Sequence, residues 1–213
     1  MKTTGTLIAA FGRQYEVRTD DTGEILLCVP RGKKSLFACG DRVQIAATGP
    51  GQGVIDKLLE RTSLLYRSDA WRQKLIAANA TQVVLVVATE PSFSDEFLSR
   101  CICAAESQHL KVLIVLNKID IVAGLEGARA QLATFAKLGY PILELSALDS
   151  ADALRARLIG ETSLLVGQSG MGKSTLTNAL IPEARAETRE ISEYLDTGKH
   201  TTTFARLYPL PEG

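Results

Sequence analysis

The order of two short motifs constrains the fold of this chain more than any other feature of its sequence. Residues 117–120 read Asn-Lys-Ile-Asp, which has the Asn-Lys-x-Asp pattern that contacts a guanine base. Residues 167–174 have the Gly-x4-Gly-Lys-Ser pattern of a phosphate-binding P-loop. In an ordinary guanine-nucleotide domain the P-loop comes first and the base-reading motif follows. The inverted order therefore predicts a nucleotide-binding domain that is circularly permuted.

The P-loop pattern has a physical reason for each of its residue types. Small residues let the backbone wrap closely around phosphates, so that successive N–H groups and the start of a helix point at negative charge. We expect Lys173 to reach the β- and γ-phosphates and contribute to catalysis, and the hydroxyl of Ser174 to bind Mg²⁺. An apolar run before the loop and a helical pattern after it favour this interpretation over an incidental glycine-rich turn. The predicted phosphate-binding residues are Gly167, Gln168, Ser169, Gly170, Met171, Gly172, Lys173, Ser174 and Thr175.

The base-reading motif follows an apolar run at residues 112–116, as expected at the carboxyl end of a buried strand. The carboxylate of Asp120 can accept both N–H donors on one edge of guanine, and adenine lacks that pair. We expect Asn117 to tie neighbouring loops together and Lys118 to pack along the base. The alternative is a polar turn after a strand. Ser146, Ala147 and Leu148 resemble a third base-binding element, in which a backbone N–H meets the guanine O6.

A further candidate region is Gly198–Thr203, which reads Gly-Lys-His-Thr-Thr-Thr. A threonine here would coordinate Mg²⁺ only while the γ-phosphate is present, which is how switch loops sense the nucleotide. His200 either orients the attacking water or lies in a solvated loop before a strand, and the sequence leaves both interpretations open.

The chain divides by pattern into two regions. Residues 1–65 contain about five short apolar runs separated by turn signals, which predicts a small closed β-barrel. An OB-fold is the leading interpretation, and an SH3-like barrel has similar statistics. Residues 66–80 are basic with one tryptophan, and we interpret them as a linker whose ring docks on a neighbouring domain, the alternative being contact with RNA. Residues 81–213 alternate strand and helix, which predicts a mostly parallel α/β sheet.

Composition sets limits on the function. The 24 basic and 24 acidic residues cancel, so RNA binding would need a local patch such as Arg31, Lys33 and Lys34. Four cysteines without a Cys-x-x-Cys pair and two histidines make a structural zinc site within this chain improbable. No apolar run is long enough for a signal peptide or a membrane span, so we expect a cytoplasmic protein.

Together these motifs resemble the RsgA (YjeQ/YloQ) family of circularly permuted, ribosome-associated GTPases. The resemblance rests on the order of residues 117–120, 146–148, 167–174 and 199–203, and it extends to residues 77–82 and to the barrel. It implies an OB-fold that contacts ribosomal RNA, late maturation of the small ribosomal subunit, and weak GTP hydrolysis that the subunit stimulates. It also implies GTP or GDP with Mg²⁺ as ligands, Thr202 as the switch ligand of Mg²⁺ and His200 in hydrolysis. A monomer without membrane contact is expected.

The chain departs from the family pattern at its C-terminal end. It ends at Gly213 without an Asp-x-x-Gly motif and without the Cys/His-rich zinc domain of the family, so zinc is expected only in such a domain. The strand that leads to Asp-x-x-Gly would separate the strand after the switch from the strand before the P-loop, so residues 204–208 would have no neighbour in the sheet. We therefore expect a fragment that binds GDP more weakly and hydrolyses GTP less well than a chain extended through that motif.

Two other classes of function remain open from the sequence. A P-loop kinase or ATPase is disfavoured by Asn117 and Asp120, which select guanine. An RNA-binding module with a catalytically incompetent nucleotide domain is the second alternative. The excess of basic residues in residues 1–65 is too slight to prove RNA binding.

Overall fold

The computed structural model describes residues 2–32, 37–68, 73–184 and 205–211. These residues form two compact units. The first contains the described residues up to Ala80 together with 205–208, and the second begins at Thr81. No helix in the described part of the chain has the length and apolar character needed to cross a membrane.

The first unit consists of strands. They are β1 (Lys2–Phe11), β2 (Gln14–Thr19), β3 (Ile25–Pro30), β4 (Arg42–Gly49), β5 (Gln52–Leu58), β6 (Leu64–Ser68) and β7 (Gln73–Ala78). Strands β1 to β5 close into a barrel of order β1-β2-β3-β5-β4, in which β1 pairs antiparallel with β4 and β3 pairs parallel with β5. The predicted five-stranded barrel is thereby confirmed, and its strand order fits the Greek-key barrel of an OB-fold.

The barrel has its own apolar core because alternate residues of each strand point inward. In β2, for example, Tyr15 and Val17 are buried while their neighbours are partly exposed. The buried cluster contains Leu7, Tyr15, Val17, Leu26, Cys28, Val43, Ile45 and Ile55.

The segment interpreted from the sequence as a linker, residues 66–80, carries regular structure where it is described. Strands β6 and β7 pair antiparallel as a two-stranded sheet, with a register shift between Leu65 and Tyr66. An isolated parallel bridge joins Cys39 to Ala77, so the hairpin belongs to the first unit. The tryptophan of this segment, Trp71, lies outside the described residues.

Residues 205–208 lie along the first strand of the barrel. Arg206 forms an isolated bridge with Ala9, and the Leu207 N–H donates to the Ile8 carbonyl at 2.8 Å. The guanidinium of Arg206 also pairs with Glu16 at 2.9 Å. This segment, for which the sequence predicted no neighbour in the α/β sheet, therefore finds its partners in the first unit.

The second unit alternates strands and helices. Its elements are β8 (Gln82–Ala88), α1 (Asp95–Glu106), β9 (Lys111–Asn117), α2 (Leu125–Lys137), β10 (Ile142–Glu144), α3 (Asp152–Leu158), β11 (Ser163–Val166) and α4 (Lys173–Leu180). The sheet order is β10-β9-β8-β11, and all three pairings are parallel. Strands β8 and β9 are almost wholly buried, which explains their unbroken apolar runs.

The order of the strands in the sheet agrees with the inverted order of the two motifs. The last strand in the described part of the unit, β11, pairs with the first, β8. Because all the strands are parallel, the carboxyl ends of β9, β8 and β11 lie at one edge of the sheet, with β8 in the middle. Both nucleotide motifs follow strands that end at this edge.

Candidate nucleotide-binding site

The P-loop has a backbone that only glycine tolerates at several positions. Gly170 and Gly172 have φ values of 80° and 88°, in the left-handed region. A Cβ at Gly172 would lie 2.3 Å from the side-chain nitrogen of Asn117, and a Cβ at Gly167 would lie 2.3 Å from the Val86 carbonyl oxygen. The glycines of the motif are therefore required both by backbone conformation and by the close approach of neighbouring segments.

The start of α4 has the features of an anion site. Its N-cap is Gly172, and no side chain among the described residues caps the helix. The first N–H groups of a helix have no intrahelical acceptor, and they carry the positive end of its dipole. Ser174 and Thr175 are exposed in this first turn. The exposed hydroxyl of Ser174 beside this anion site is the kind of oxygen ligand that Mg²⁺ takes in such sites.

Lys173 is held against the same loop. Its ammonium donates to the Gln168 carbonyl at 2.7 Å. Desolvation by burial lowers the pKa of Lys173 below its usual value. A phosphate beside this ammonium would offset the cost of desolvation because it supplies the opposite charge.

Asn117 joins the three loops that the motifs predicted. The residue is 1% exposed. The amide nitrogen donates to the Met171 carbonyl of the P-loop at 3.0 Å, and the amide oxygen accepts from the Ala147 N–H at 3.0 Å. One buried side chain thus links the base-reading motif, the P-loop and the segment 146–148, which agrees with the prediction that Asn117 ties neighbouring loops together.

Lys118 and Asp120 follow at the end of β9. Lys118 has a φ of 62°, in the left-handed region, and its ammonium donates to the Glu90 carbonyl at 2.8 Å. Asp120 is exposed. A base that covers this carboxylate would bury it.

The segment 146–148 lies where the third base-binding element is expected. Ser146 is 3% exposed, and its hydroxyl oxygen accepts the Leu148 N–H at 3.3 Å. The Ala147 N–H is bonded to Asn117. Both N–H groups therefore have acceptors within the protein, and a bond from this segment to the guanine O6 stays a prediction.

The switch candidates His200 and Thr202 lie outside the described residues, as do Lys33 and Lys34 of the basic cluster. In the parts of the chain that are described, no group of three or more His, Cys, Asp or Glu side chains is placed to hold a metal ion.

Sequence reasoning missed the segment that follows β8. The carbonyl of Glu90 and the side chain of Thr89 contact Lys118, and the Ser94 N–H donates to the side chain of Gln168 at 3.3 Å. No motif marks these residues. The one signal available was position, because they follow the strand that lies between the two motif-bearing strands.

A comparison with protein families finds a match to the RsgA GTPase family over residues 58–213. The chain is 54% identical to the small ribosomal subunit biogenesis GTPase RsgA of Burkholderia pseudomallei, over 98% of this chain and 68% of that protein. It is 53% identical to the protein of the same name from Paraburkholderia phytofirmans, over 98% of this chain and 67% of the relative.

Two solved structures are similar in fold. The crystal structure of YjeQ from Thermotoga maritima aligns with a TM-score of 0.69 and 32% identity, covering 85% of this chain and 66% of that one. The structure of YloQ, described as a circularly permuted GTPase, aligns with a TM-score of 0.63 and 27% identity, covering 86% and 66%. The chain thus spans about two thirds of the length of the proteins it matches.

Proposed function

The chain belongs to the RsgA GTPase family, and from that premise we propose that it binds and hydrolyses GTP in late maturation of the small ribosomal subunit. The observation that carries the proposal is the pair of hydrogen bonds made by the buried side chain of Asn117. They hold the P-loop and the segment 146–148 beside the base-reading motif. The base and the phosphates of one nucleotide would therefore both be bound at the same edge of the sheet, the base by the base-reading motif and the phosphates by the P-loop.

The proposed division of labour follows the two halves of the site. On the phosphate side, the N–H groups of residues 167–175 and the ammonium of Lys173 bind the β- and γ-phosphates. Ser174 holds Mg²⁺, which neutralises phosphate charge when bound. On the base side, Asp120 accepts from guanine and Lys118 packs along the ring. Guanine is preferred because an adenine base would cover Asp120 without pairing with it.

Two roles rest on the family resemblance alone. Thr202 is proposed as the second protein ligand of Mg²⁺, present when the γ-phosphate is bound. His200 is proposed to orient the attacking water. Both belong to the segment outside the described residues, so their support is the motif Lys-His-Thr-Thr-Thr and its place after the P-loop helix.

The proposed partner is the small ribosomal subunit with its RNA, because the relatives carry that function in their names. The OB-type barrel supplies a surface of the kind that binds oligonucleotides. Arg31 is exposed on that barrel and pairs with Asp56 at 2.7 Å. We expect the protein to act as a monomer in the cytoplasm, where its substrate particle is assembled.

Release of phosphate from GTP, with and without purified small subunits, tests the proposal. We expect slow release from the chain alone, faster release with subunits, and loss of both in Lys173→Ala. Lys137→Ala is the matched control, since Lys137 is exposed in the last turn of α2 and should leave the rates unchanged.

Full turnover in Lys173→Ala would contradict the P-loop assignment. Binding of small subunits without phosphate release under any condition would favour the alternative, an RNA-binding module whose nucleotide domain is catalytically incompetent.

A further inference from the structure

Thr89 occupies a central position between the two nucleotide motifs, although it belongs to neither. It is the residue directly after β8, and β8 lies between β9, which ends at Asn117, and β11, which leads to the P-loop. The residue is only 7% exposed. A polar side chain buried at this edge of the sheet needs a hydrogen-bond partner.

The partners of Thr89 are both in the base-reading motif. Its hydroxyl donates to the Lys118 carbonyl at 3.2 Å, and its N–H donates to the Asn117 carbonyl at 3.3 Å. The Lys118 carbonyl also accepts from the Ile121 N–H at 2.9 Å. The turn that carries Asp120 is thus closed on one side by Ile121 and held on the other by Thr89.

This support falls on a backbone that is otherwise disfavoured. Lys118 adopts a φ of 62°, a left-handed conformation that side chains with a Cβ seldom take. The same segment also holds the far end of Lys118, because the Glu90 carbonyl accepts its ammonium at 2.8 Å. Residues 89 and 90 therefore fix Lys118 at both its backbone and its charged end.

We propose that Thr89 is a positioning residue for base recognition, whose hydroxyl holds the turn from Lys118 to Asp120 in the conformation that reads guanine. The inference rests on the proposed binding of guanine nucleotide and extends it to a residue outside the motifs. Thr89 acts through the backbone of Lys118, so its loss would weaken selection of the base rather than binding of the phosphates.

Three variants of the full chain test the inference. Thr89→Val removes the hydroxyl while keeping the shape, and Thr89→Ser restores it. Thr81→Val is the matched control at the opposite end of β8, where the hydroxyl of Thr81 donates to Glu161 at 2.6 Å and accepts from the Thr162 N–H at 2.9 Å. Each protein is titrated with a fluorescent GDP analogue, competed with GDP and with ADP, and followed in thermal unfolding.

We expect Thr89→Val to bind GDP about three- to tenfold more weakly, the range for loss of one hydrogen bond. Its affinity for ADP should stay that of the wild type, so the preference for GDP over ADP should fall by the same factor. Thr89→Ser should recover most of the preference. Thr81→Val should lower the unfolding temperature without changing the preference.

An unchanged preference in Thr89→Val, a Thr89→Ser variant as impaired as Thr89→Val, or an equal loss of preference in Thr81→Val would each overturn the inference. Failure of the wild-type chain to bind GDP is a separate outcome, since it would remove the proposed function itself and this inference with it.

Discussion

At the scale of single residues, Asn117 organises the site more than any other side chain that the structure describes. A buried amide with both of its ends bonded is stabilising only if each partner is present, since an unpaired buried donor or acceptor costs free energy. Here the partners come from two other segments, Met171 and Ala147. The integrity of the site therefore depends on the donor and the acceptor of one amide.

Replacement of Asn117 by Asp separates those two functions. The carboxylate can still accept the Ala147 N–H, but an oxygen now faces the Met171 carbonyl in place of a donor. We expect about tenfold weaker GDP binding and a loss of about 1–3 kcal/mol in the free energy of unfolding. A fluorescent GDP titration and urea denaturation measure the two effects.

Asn79→Asp in the first unit is the matched control. The amide of Asn79 likewise donates to a carbonyl, that of Gly40 at 2.9 Å, and accepts an N–H, that of Thr62 at 2.8 Å. Asn79→Asp should reduce stability and leave GDP affinity as it is. Equal GDP affinity in the two variants would contradict the role given to Asn117.

Sequence patterns predicted only some of the contacts that single residues make in the site. The motif named Asn117 and its general task, but its partners lie 54 and 30 residues away in the chain, and only the fold specifies which atoms meet. Thr89 had no motif, because its contacts arise from its place beside β9. A motif also does not show which groups the ligand itself covers, and the exposed Asp120 is a group that a bound base would cover.

At the scale of elements, the P-loop packs tightly against the end of strand β9. At Gly172 an added Cβ would collide with the side chain of Asn117. This packing couples the phosphate half of the site to the base half. A change in one glycine should therefore disturb both halves.

Gly172→Ala should abolish measurable GDP binding, because the added Cβ would lie 2.3 Å from the Asn117 amide and because φ is 88° there. Gly127→Ala is its matched control. Gly127 lies within α2 with nothing within 4 Å of an added Cβ, so alanine should stabilise the helix by about 0.5–1 kcal/mol and leave binding unchanged. Calorimetric titration with GDP checks both, and wild-type affinity in Gly172→Ala would refute the packing argument.

The stability of the barrel should depend on pH through the ion pair between Asp20 and Arg42. The hydrogen bond from Arg42 lowers the pKa of Asp20, and both N–O distances of this bidentate pair are 2.6 Å. A lowered pKa in the folded state adds stability above the unfolded value of about 3.9, and that stability is lost as pH falls through the folded value.

Asp20→Asn should therefore be less stable than the wild type at pH 7, by less than about 1 kcal/mol because the pair is partly exposed. The difference should shrink as the pH falls below about 4. Urea unfolding midpoints of the two proteins at pH 7 and below about pH 4 measure this difference in stability. A difference of the same size at both pH values would contradict a contribution from the ion pair.

Elements were predicted well where burial sets the pattern. The apolar run of β9 and the alternation of strand and helix predicted the parallel sheet, and the short apolar runs and turn signals of the first 65 residues predicted the barrel. The hairpin of β6 and β7 gave no such signal. The hairpin contains an exposed aromatic residue, Tyr66, and a cross-strand pair of basic residues, Arg67 and Lys74, and such a composition is typical of a polar linker. Its two strands are defined by pairing with each other rather than by a buried face.

At the scale of the whole molecule, the inverted motif order has a simple structural meaning. Strand β11 is placed by pairing with β8, so the P-loop reaches the same sheet edge as the base-reading motif although it comes later in the chain. Motif order could predict this permutation because the carboxyl ends of parallel strands share one edge whatever their order in sequence. It could not predict that residues 205–208 lie along β1, since that depends on contacts between residues far apart in the chain, such as the bridge from Ala9 to Arg206 and the ion pair of Arg206 with Glu16.

If this shared edge binds a guanine nucleotide, as we propose, then nucleotides should compete for it according to their base. The chain is loaded with a fluorescent GDP analogue and challenged with increasing GDP or ADP in the presence of Mg²⁺. We expect displacement by GDP and little or none by ADP at the same concentrations, with the preference lost in Asp120→Ala. Displacement by ADP as effective as that by GDP would contradict it.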